Sequence, residues 1–318
     1  MIYDLIIIGS GAAGLSAGLY AGRYRMKTLI VGAEFGGYTS IAGPIDNYPG
    51  AKAIDGFDLM QVMKEQTREV GVEFLDDRVT HLEMVDGCFG ITLESGATHQ
   101  ASTLIVCTGT EHKRLGLPRE AELTSHGVHY CVTCDGPLYG GKKIAVVGGG
   151  DASVKGVNLS AEYAEKIFMI VRGTKLRAEP INYERLLAWG DKIEVLYETE
   201  VKEIVGTDHF EKVVLSKPYQ GSTDLVVDGL FIEVGALPRT EVLKPLGVEL
   251  DTKGYVKADP LMHTNVPGLF AAGDVMDLFG GFKQDITAAC MGAVAATSAY
   301  EYYKVHGDLC KVHLKTAQ

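Results

Sequence analysis

The sequence predicts an α/β fold with two Rossmann-like, three-layer units. Two segments of the same design carry that expectation. "DLIIIGSGAAGLSAGLYAGRYRMKTLIVGAE" runs from an apolar strand through glycines at 9, 11 and 14 into a small-residue helix and a second strand ending at Val31. "KKIAVVGGGDASVKGVNLSAEYAEKIFMIVRG" repeats the plan with glycines at 148, 149 and 150 and a second strand ending near Val171. Each covers roughly thirty residues, the span of a βαβ unit with parallel strands. Their separation is too long for a solenoid period, so the relation is a duplicated domain.

The remaining elements follow in order. "VEFLDDRVTHLEMVDG" and "GCFGITLESGATHQASTLIVCTG" alternate apolar and polar residues between Gly and Ser turns, which predicts antiparallel strands ending in one buried strand. "IEVLYETEVKEIVG" and "DLVVDGLFIEVG" read alike in the second half, and "ITAACMGAVAATSAYEYYKVHG" is a small-residue helix suited to close packing. Hinges are expected around Glu111 to Leu115 and Leu237 to Thr240.

Composition narrows the function classes. Apolar residues make up 46% of 318 and charged residues 22%, enough for two ordinary cores. A net charge of −11 argues against a nucleic-acid binder, which usually shows a basic face. No apolar run approaches the ~18 residues of a membrane span. The start, "MIYDLIIIGSG", carries Asp4 early and no basic stretch, so it predicts a strand rather than a signal peptide. Six cysteines are too few for a secreted disulfide scaffold of this length, and a cytoplasmic protein is expected.

The turn Gly9-Ser10-Gly11-Ala12-Ala13-Gly14 follows a strand and opens a helix, as a dinucleotide fingerprint requires. Glycines let backbone N–H groups approach a pyrophosphate, and the helix N-terminus adds partial positive charge. Glu34, about 20 residues beyond Gly14, stands where a carboxylate binds ribose hydroxyls. The second turn, Gly148-Gly149-Gly150-Asp151-Ala152-Ser153, has Ser153 in place of the third glycine. No acid follows its second strand. Arg172, Lys175 and Arg177 stand there instead, a cluster that suits a 2′-phosphate and favours NADP over NAD, with a solvated strand end as the plainer reading.

"HYCVTCDG" sets Cys131 and Cys134 two residues apart with Asp135 behind. Zinc would have to recruit His126 and His129 and crowd four ligands into nine consecutive residues, tighter than paired sites allow. A purely structural disulfide would close too small a loop to stabilise much. A redox dithiol beside nucleotide-type sites is the expected use, with no metal. Asp135 can move the proton that thiol exchange requires, or act simply as a cap or turn residue. His126 and His129 are expected to be loop or partner-surface residues. Cys88, Cys107, Cys290 and Cys310 are expected to be buried or incidental thiols.

Together these features resemble the low-molecular-weight thioredoxin reductases of the pyridine nucleotide–disulfide oxidoreductase class. The resemblance runs nearly the whole chain, through "IIGSGAAGLSAGLYAGR", "NYPG", "CTGTEHKRLGLP", "GVHYCVTCDGPLY", "VVGGGDAS", "GLFIEVGALPRT" and "TNVPGLFAAGDVMD". It implies a discontinuous FAD-binding domain, 1–112 with 241–318, into which a pyridine-nucleotide domain, 113–240, is inserted carrying the dithiol. It implies that Gly9, Gly11, Gly14 and Glu34 hold the FAD adenosine and pyrophosphate, and that Gly36, Gly37, Asn47 and Gly109 line the FAD site. Gly273 and Asp274 would meet the ribityl and phosphate region, and Gln284 and Ile286 the isoalloxazine edge. NADPH would lie on Gly148, Gly150, Asp151, Ala152, Ser153, Arg172, Lys175 and Arg177.

The implied chemistry is hydride transfer from NADPH to flavin, then electrons to the disulfide. Cys134 would face the flavin, Cys131 would attack thioredoxin or a thioredoxin-like partner, and Asp135 would handle protons. The resemblance also implies a rotating nucleotide domain and a homodimer. Departures cluster in the nicotinamide half. The family's His-Arg-Arg-x-x-x-Arg stretch is Val171-Arg172-Gly173-Thr174-Lys175-Leu176-Arg177, Lys155 and Gly156 stand where a Glu is usual, and Tyr38 replaces a glutamine. Two extra residues enter "DVMDLFGGFKQDIT". Two alternatives follow: the same flavin and dithiol reductase with ferredoxin, a deazaflavin or NADH as donor, or a nucleotide-binding regulatory protein with zinc on the two cysteines.

Overall fold

The strand Ile2–Ile8 is apolar almost throughout, so it can lie only in the middle of a sheet covered on both faces. The computed structural model describes residues 2–280 and 282–307. It divides into two compact units, 1–111 with 238–318, and 112–237. These divisions fall slightly before the expected boundaries at 112 and 240. The reason is that the crossing segments Thr110–His112 and Ala236–Pro238 pair as a short ribbon, and the division lies inside it.

In the first unit a seven-stranded sheet runs Glu73–Leu75, Thr28–Val31, Ile2–Ile8, Thr98–Val106, Cys88–Leu93, Val79–Val85, with Leu269–Ala271 also on Thr98–Val106. Its βαβ side is parallel, whereas Val79–Val85 and Cys88–Leu93 form the antiparallel arm that the alternating sequence predicts. Helix α1 (Ala12–Arg23) follows the first strand, and helix α2 (Gly56–Glu69) starts at Asp55, whose side chain accepts the Phe57 N–H.

In the second unit five parallel strands run Val128–His129, Gly229–Ile232, Lys143–Val147, Lys166–Val171, Ile193–Tyr197. Helix α3 (Val132–Asp135) is a single turn, and helices α4 (Asp151–Ser160) and α5 (Pro180–Ala188) follow. An antiparallel sheet of Val201–Gly206, Phe210–Tyr219 and Ser222–Val226 completes this unit. Helix α6 (Asp285–His306) belongs to the first unit, which the chain re-enters at Pro238. The first unit has one apolar core and the second has two. Among the described residues no helix is long and apolar enough to cross a membrane.

Helix α6 carries its small residues for a packing reason. A Cβ placed on Gly292 would sit 2.0 Å from the Ala13 carbonyl oxygen, so α1 and α6 meet at backbone distance. Ser16 Oγ donates to the Ala289 carbonyl across the same contact at 2.7 Å.

At the carboxyl end of Gly229–Ile232, Glu233 ties two parts of the second unit together. Its carbonyl accepts the Ser153 hydroxyl at 2.9 Å. Its carboxyl accepts the Val132 N–H, yet burial pushes that carboxyl up to about 7.

Two outcomes follow from this packing. Gly292→Ala should separate α1 from α6 and cost about 1–3 kcal/mol, read as a thermal midpoint several degrees lower; an unchanged midpoint would refute the close contact. Glu233 has a folded pKa above its ordinary 4.5, so the folded state binds the extra proton between those values. Its penalty is therefore absent below about pH 4.5, grows through that window and is complete above about 7. Glu233→Gln should stabilise the protein at pH 8 by a few kcal/mol relative to its effect at pH 4.5. Denaturant unfolding at both pH values measures this, and equal shifts would contradict it.

Candidate active site

The first glycine turn owes its shape to a carbonyl. Gly9 has φ +114°, and a Cβ there would lie 2.1 Å from the Cys107 carbonyl oxygen, so only glycine lets the two strand ends converge. Gly14 is held as tightly, with the Gly9 carbonyl oxygen 1.9 Å from any added Cβ. Gly11 is the N-cap of α1 and provides no side-chain cap, which leaves first-turn N–H groups for a ligand. The buried residues Ser10, Ala12 and Ala13 support the turn from behind.

Ser10 also links this turn to the next one. Its hydroxyl donates to the Glu34 carbonyl at 3.2 Å and its carbonyl accepts the Gly36 N–H at 3.0 Å. This brings the Gly36–Gly37 turn against the dinucleotide turn, with Gly11 Cα 3.9 Å from a Cβ built on Gly37. Glu34 is exposed and bridged by two arginines, Arg239 at 2.8 Å and Arg78 at 3.3 Å. The Arg239 hydrogen bond holds its carboxyl below the usual range. Sequence reasoning missed both arginines. Gly109 lies nearby in sequence to the Cys107 strand end, and its carbonyl accepts the Arg239 N–H at 3.0 Å.

Helix α6 supplies the remaining first-unit residues. Gln284 is its N-cap and forms a capping box with Thr287, while its Oε1 accepts from Asn47 Nδ2 at 2.9 Å. Ile286 is partly exposed one residue into the helix. Gly273 leaves room for Ala13, whose Cβ would stand 2.9 Å from an added one. Burial pushes the Asp274 carboxyl up, even with the Lys283 charge opposing. Lys283 itself donates to the Asp274 and Met276 carbonyls, and burial pulls its own pKa down. Asp274, Lys283, Phe279 and Phe282 line a small cleft, and both phenylalanines are exposed. An uncapped helix N-terminus, a glycine turn without side chains at Gly9, Gly11 and Gly14, and a desolvated carboxyl together fit an anionic, hydroxyl-bearing dinucleotide.

In the second unit Gly148 copies Gly9. It has φ +145°, and its absent Cβ would meet the Glu233 carbonyl oxygen at 2.2 Å. Ser153 is fully buried and its hydroxyl is turned back to Glu233, so it performs the packing task of the missing third glycine. Gly150 caps α4 without a side chain and has open space where a Cβ would be, and Ala152 follows inside the first turn. Asp151 faces away into its own network. Burial opposes its charge, but the Glu179 N–H, Lys155 and Asn182 bonds hold the carboxyl below the usual range. Arg172, Lys175 and Arg177 are all exposed, and Arg177 reaches the turn through its N–H to the Gly149 carbonyl at 2.7 Å. Three exposed cations near an uncapped helix start fit a phosphate-bearing nucleotide.

Cys131 and Cys134 form a disulfide with Cα atoms 5.3 Å apart. Cys131 caps α3, its sulfur accepting the Cys134 N–H at 3.1 Å, and Cys134 is exposed. Asp135 closes that turn and bonds His129 Nδ1 at 2.9 Å. Here the expectation for His129 is corrected. It is 5% exposed, because its ring stacks on Phe231 of the neighbouring strand Gly229–Ile232 and bonds the Tyr139 hydroxyl. His126 is exposed, as a loop residue should be. His129 is the second residue of a two-residue strand, Val128–His129, too short to leave a periodic signal in the sequence.

Both thiols of the pair are bonded to each other, so neither is free as a zinc ligand, and no metal-holding cluster occurs among the described residues. Cys107 is a buried thiol whose pKa burial raises, and Cys290 is an exposed thiol. Cys88 is buried, as expected, but disulfide-bonded, which corrects its reading as a buried or incidental thiol; spacing along the chain carries no signal of such pairing. Cys310 lies outside the described residues.

Comparison with known proteins agrees with this arrangement. Residues 3–297 match the family described as Pyridine nucleotide-disulphide oxidoreductase. The thioredoxin reductase of Treponema pallidum (strain Nichols) is 38% identical over 303 residues, 94% of this chain and 97% of that protein. The crystal structure of Lactococcus lactis thioredoxin reductase superposes with a TM-score of 0.88 at 35% identity, covering 94% of this chain and 98% of that one. A ferredoxin-flavin thioredoxin reductase from Clostridium acetobutylicum is 29% identical with a TM-score of 0.52, covering 96% and 99%. With two glycine-turn Rossmann-like units and a Cys-x-x-Cys disulfide in the second, the chain belongs to the thioredoxin reductases of the pyridine nucleotide–disulphide oxidoreductase family.

Proposed function

We propose that this protein is an FAD-dependent thioredoxin-disulfide reductase that passes electrons from NADPH to thioredoxin or a thioredoxin-like protein. The Cys131–Cys134 disulfide carries the reading: it sits on an exposed turn of the unit that also holds the second glycine turn. A dithiol so placed can be reached by a protein disulfide.

Bound FAD supplies a two-electron carrier between nicotinamide and disulfide. The chain's own residues do the rest. The N–H groups of the Gly9–Gly14 turn hold a pyrophosphate, Glu34 accepts from ribose hydroxyls, and Asp274 accepts from the ribityl region. Gly36, Gly37, Asn47, Gly109, Gln284 and Ile286 surround the flavin end. Cys134 receives the electrons, Cys131 attacks the partner's disulfide, and Asp135 moves the proton. A cytoplasmic homodimer is the expected form, by family resemblance.

Arg172 and Arg177 support NADPH, since paired guanidinium groups suit a 2′-phosphate. A donor of another kind, reduced ferredoxin, is a second reading. Lys155 favours it, because this cation replaces the usual acid and pairs with Asp151 at 2.9 Å within the nucleotide turn's helix. The similarity to the Clostridium acetobutylicum protein points the same way.

Two experiments test these readings. Anaerobic Cys134→Ser should bind FAD and bleach its flavin band with NADPH, yet show no thioredoxin turnover; surviving turnover would end the dithiol mechanism. Arg172→Ala with Arg177→Ala should raise KM for NADPH about tenfold or more with kcat nearly kept. If wild-type flavin bleaches with reduced ferredoxin and not with NADPH, the second reading replaces the first.

A further inference from the structure

His129 lies at the centre of the Cys-x-x-Cys segment although it contains neither sulfur. Nδ1 is 2.9 Å from Asp135 Oδ2, Nε2 is 2.7 Å from the Tyr139 hydroxyl, and the ring lies on Phe231 at 5.1 Å between centroids. One buried imidazole thus binds the strand before the dithiol, the last residue of α3 and the last residue of the following 3-10 turn, Gly136–Tyr139.

The protons in this chain are fixed by what each partner can do. An ionised Asp135 only accepts, so Nδ1 carries the hydrogen toward it. Nε2 is then a bare acceptor, and the Tyr139 O–H donates to it. Burial first, then the Asp135 and Asp228 charges, raises the Tyr139 pKa, which keeps that hydroxyl a donor. Should the imidazole gain a second proton, the hydroxyl rotates and accepts from Nε2–H. The Tyr139–His129–Asp135 chain can therefore hold one extra proton with both hydrogen bonds to the imidazole kept.

We propose that His129 is a positioning residue for thiol–disulfide exchange, aiming the Asp135 carboxylate at the dithiol and sharing the proton it hands over. This rests on the reading that the Cys131/Cys134 dithiol reduces a thioredoxin-like disulfide. In the reduced protein Cys131 is a thiolate, Cys134 a thiol, and one proton resides on the His129–Asp135 pair. Cys131 sulfur bonds to one partner sulfur, the partner's S–S bond breaks, and the leaving thiolate takes the pair's proton. Cys134 then attacks Cys131 sulfur, giving its own proton to Asp135; the mixed disulfide breaks and the second partner thiolate takes that proton. Two electrons leave the dithiol, one proton leaves Cys134 and one leaves the His129–Asp135 pair, and the partner disulfide gains all of them as two thiols.

The test uses the full FAD-bound protein, oxidised thioredoxin, and the variants His129→Leu, His129→Asn and Tyr139→Phe. Asn puts an amide N–H near the place of Nδ1–H, whereas Leu keeps bulk alone. His129→Leu should lower kcat for thioredoxin on the order of tenfold or more with KM little changed, and leave donor-driven flavin reduction at the wild-type rate. His129→Asn should recover most of that loss, and Tyr139→Phe, which retains the packing, should lose a few-fold in kcat. Wild-type kcat in both His129→Leu and Tyr139→Phe, or equal losses in Leu and Asn, would overturn the proposal. If His129→Leu fails to retain FAD, Tyr139→Phe alone decides.

A partner-free readout separates the two readings. Iodoacetamide alkylation of the dithiothreitol-reduced protein at pH 7 should slow several-fold in His129→Leu and not in His129→Asn, since the rate follows the thiolate fraction. Wild-type protein that leaves thioredoxin oxidised while the alkylation pattern holds removes the functional reading and spares the role of His129. An unchanged alkylation rate in His129→Leu removes that role.

Discussion

The architecture depends on a backbone carbonyl that sits where a side chain would otherwise be. In the first unit the Cys107 carbonyl occupies the space of a Gly9 Cβ, and in the second the Glu233 carbonyl occupies that of Gly148. Any other residue at either glycine would separate the turn from its neighbouring strand and carry the helix N-terminus away from the sheet. Because the N-cap residues Gly11 and Gly150 carry no side chain, the first-turn N–H groups of α1 and α4 keep no side-chain cap. A packing constraint thereby produces an anion-binding surface, and produces it twice.

The two copies have diverged in what lies next to the turn. In the first, Ser10 binds its turn to Glu34 and Gly36, and arginines restrain the Glu34 carboxylate. That arrangement holds an acceptor for hydroxyl groups in place and keeps it ionised. In the second, Gly149 stands in the place of Ser10, the Ser153 hydroxyl is taken up by the Glu233 carbonyl, and the charges that remain exposed are cationic. One turn is thus suited to a ligand offering hydroxyls, and the other to one offering phosphate. The Cys-x-x-Cys turn is attached to the second through Glu233, whose carboxyl accepts the Val132 N–H while its carbonyl accepts Ser153.

The duplicated βαβ units, the antiparallel arm and the small-residue helix were legible because each leaves a periodic signal: apolar runs, alternation, glycines at fixed offsets. Cys131, Cys134 and the two turns were legible for the same local reason. What escaped the sequence depends on distance along the chain. Arg239 reaches Glu34 from just past the inserted unit, 205 residues along the chain, and no local pattern marks it. Glu233 looks like an ordinary polar residue at a strand end until its burial is known. His129 failed for a related reason: polar residues in a two-residue strand read as loop, and only the stacking on Phe231 and the two hydrogen bonds show it as interior.

The substitutions that separate this chain from its family's pattern in the nicotinamide half also form a consistent physical set. Lys155 neutralises Asp151 at the start of α4, and the Asp151 carboxylate is further taken up by the Glu179 N–H and Asn182. Acid at a helix N-terminus ordinarily competes with an anionic ligand for the same partial positive charge. Pairing that acid with a lysine and turning it toward α5 removes the competition. Arg172 and Arg177 stay exposed and leave the turn cationic toward a phosphate, whereas Lys155 in place of the usual Glu alters the part of the site expected to meet the nicotinamide. Erosion of a motif here changes the electrostatics of the turn while leaving its backbone geometry intact.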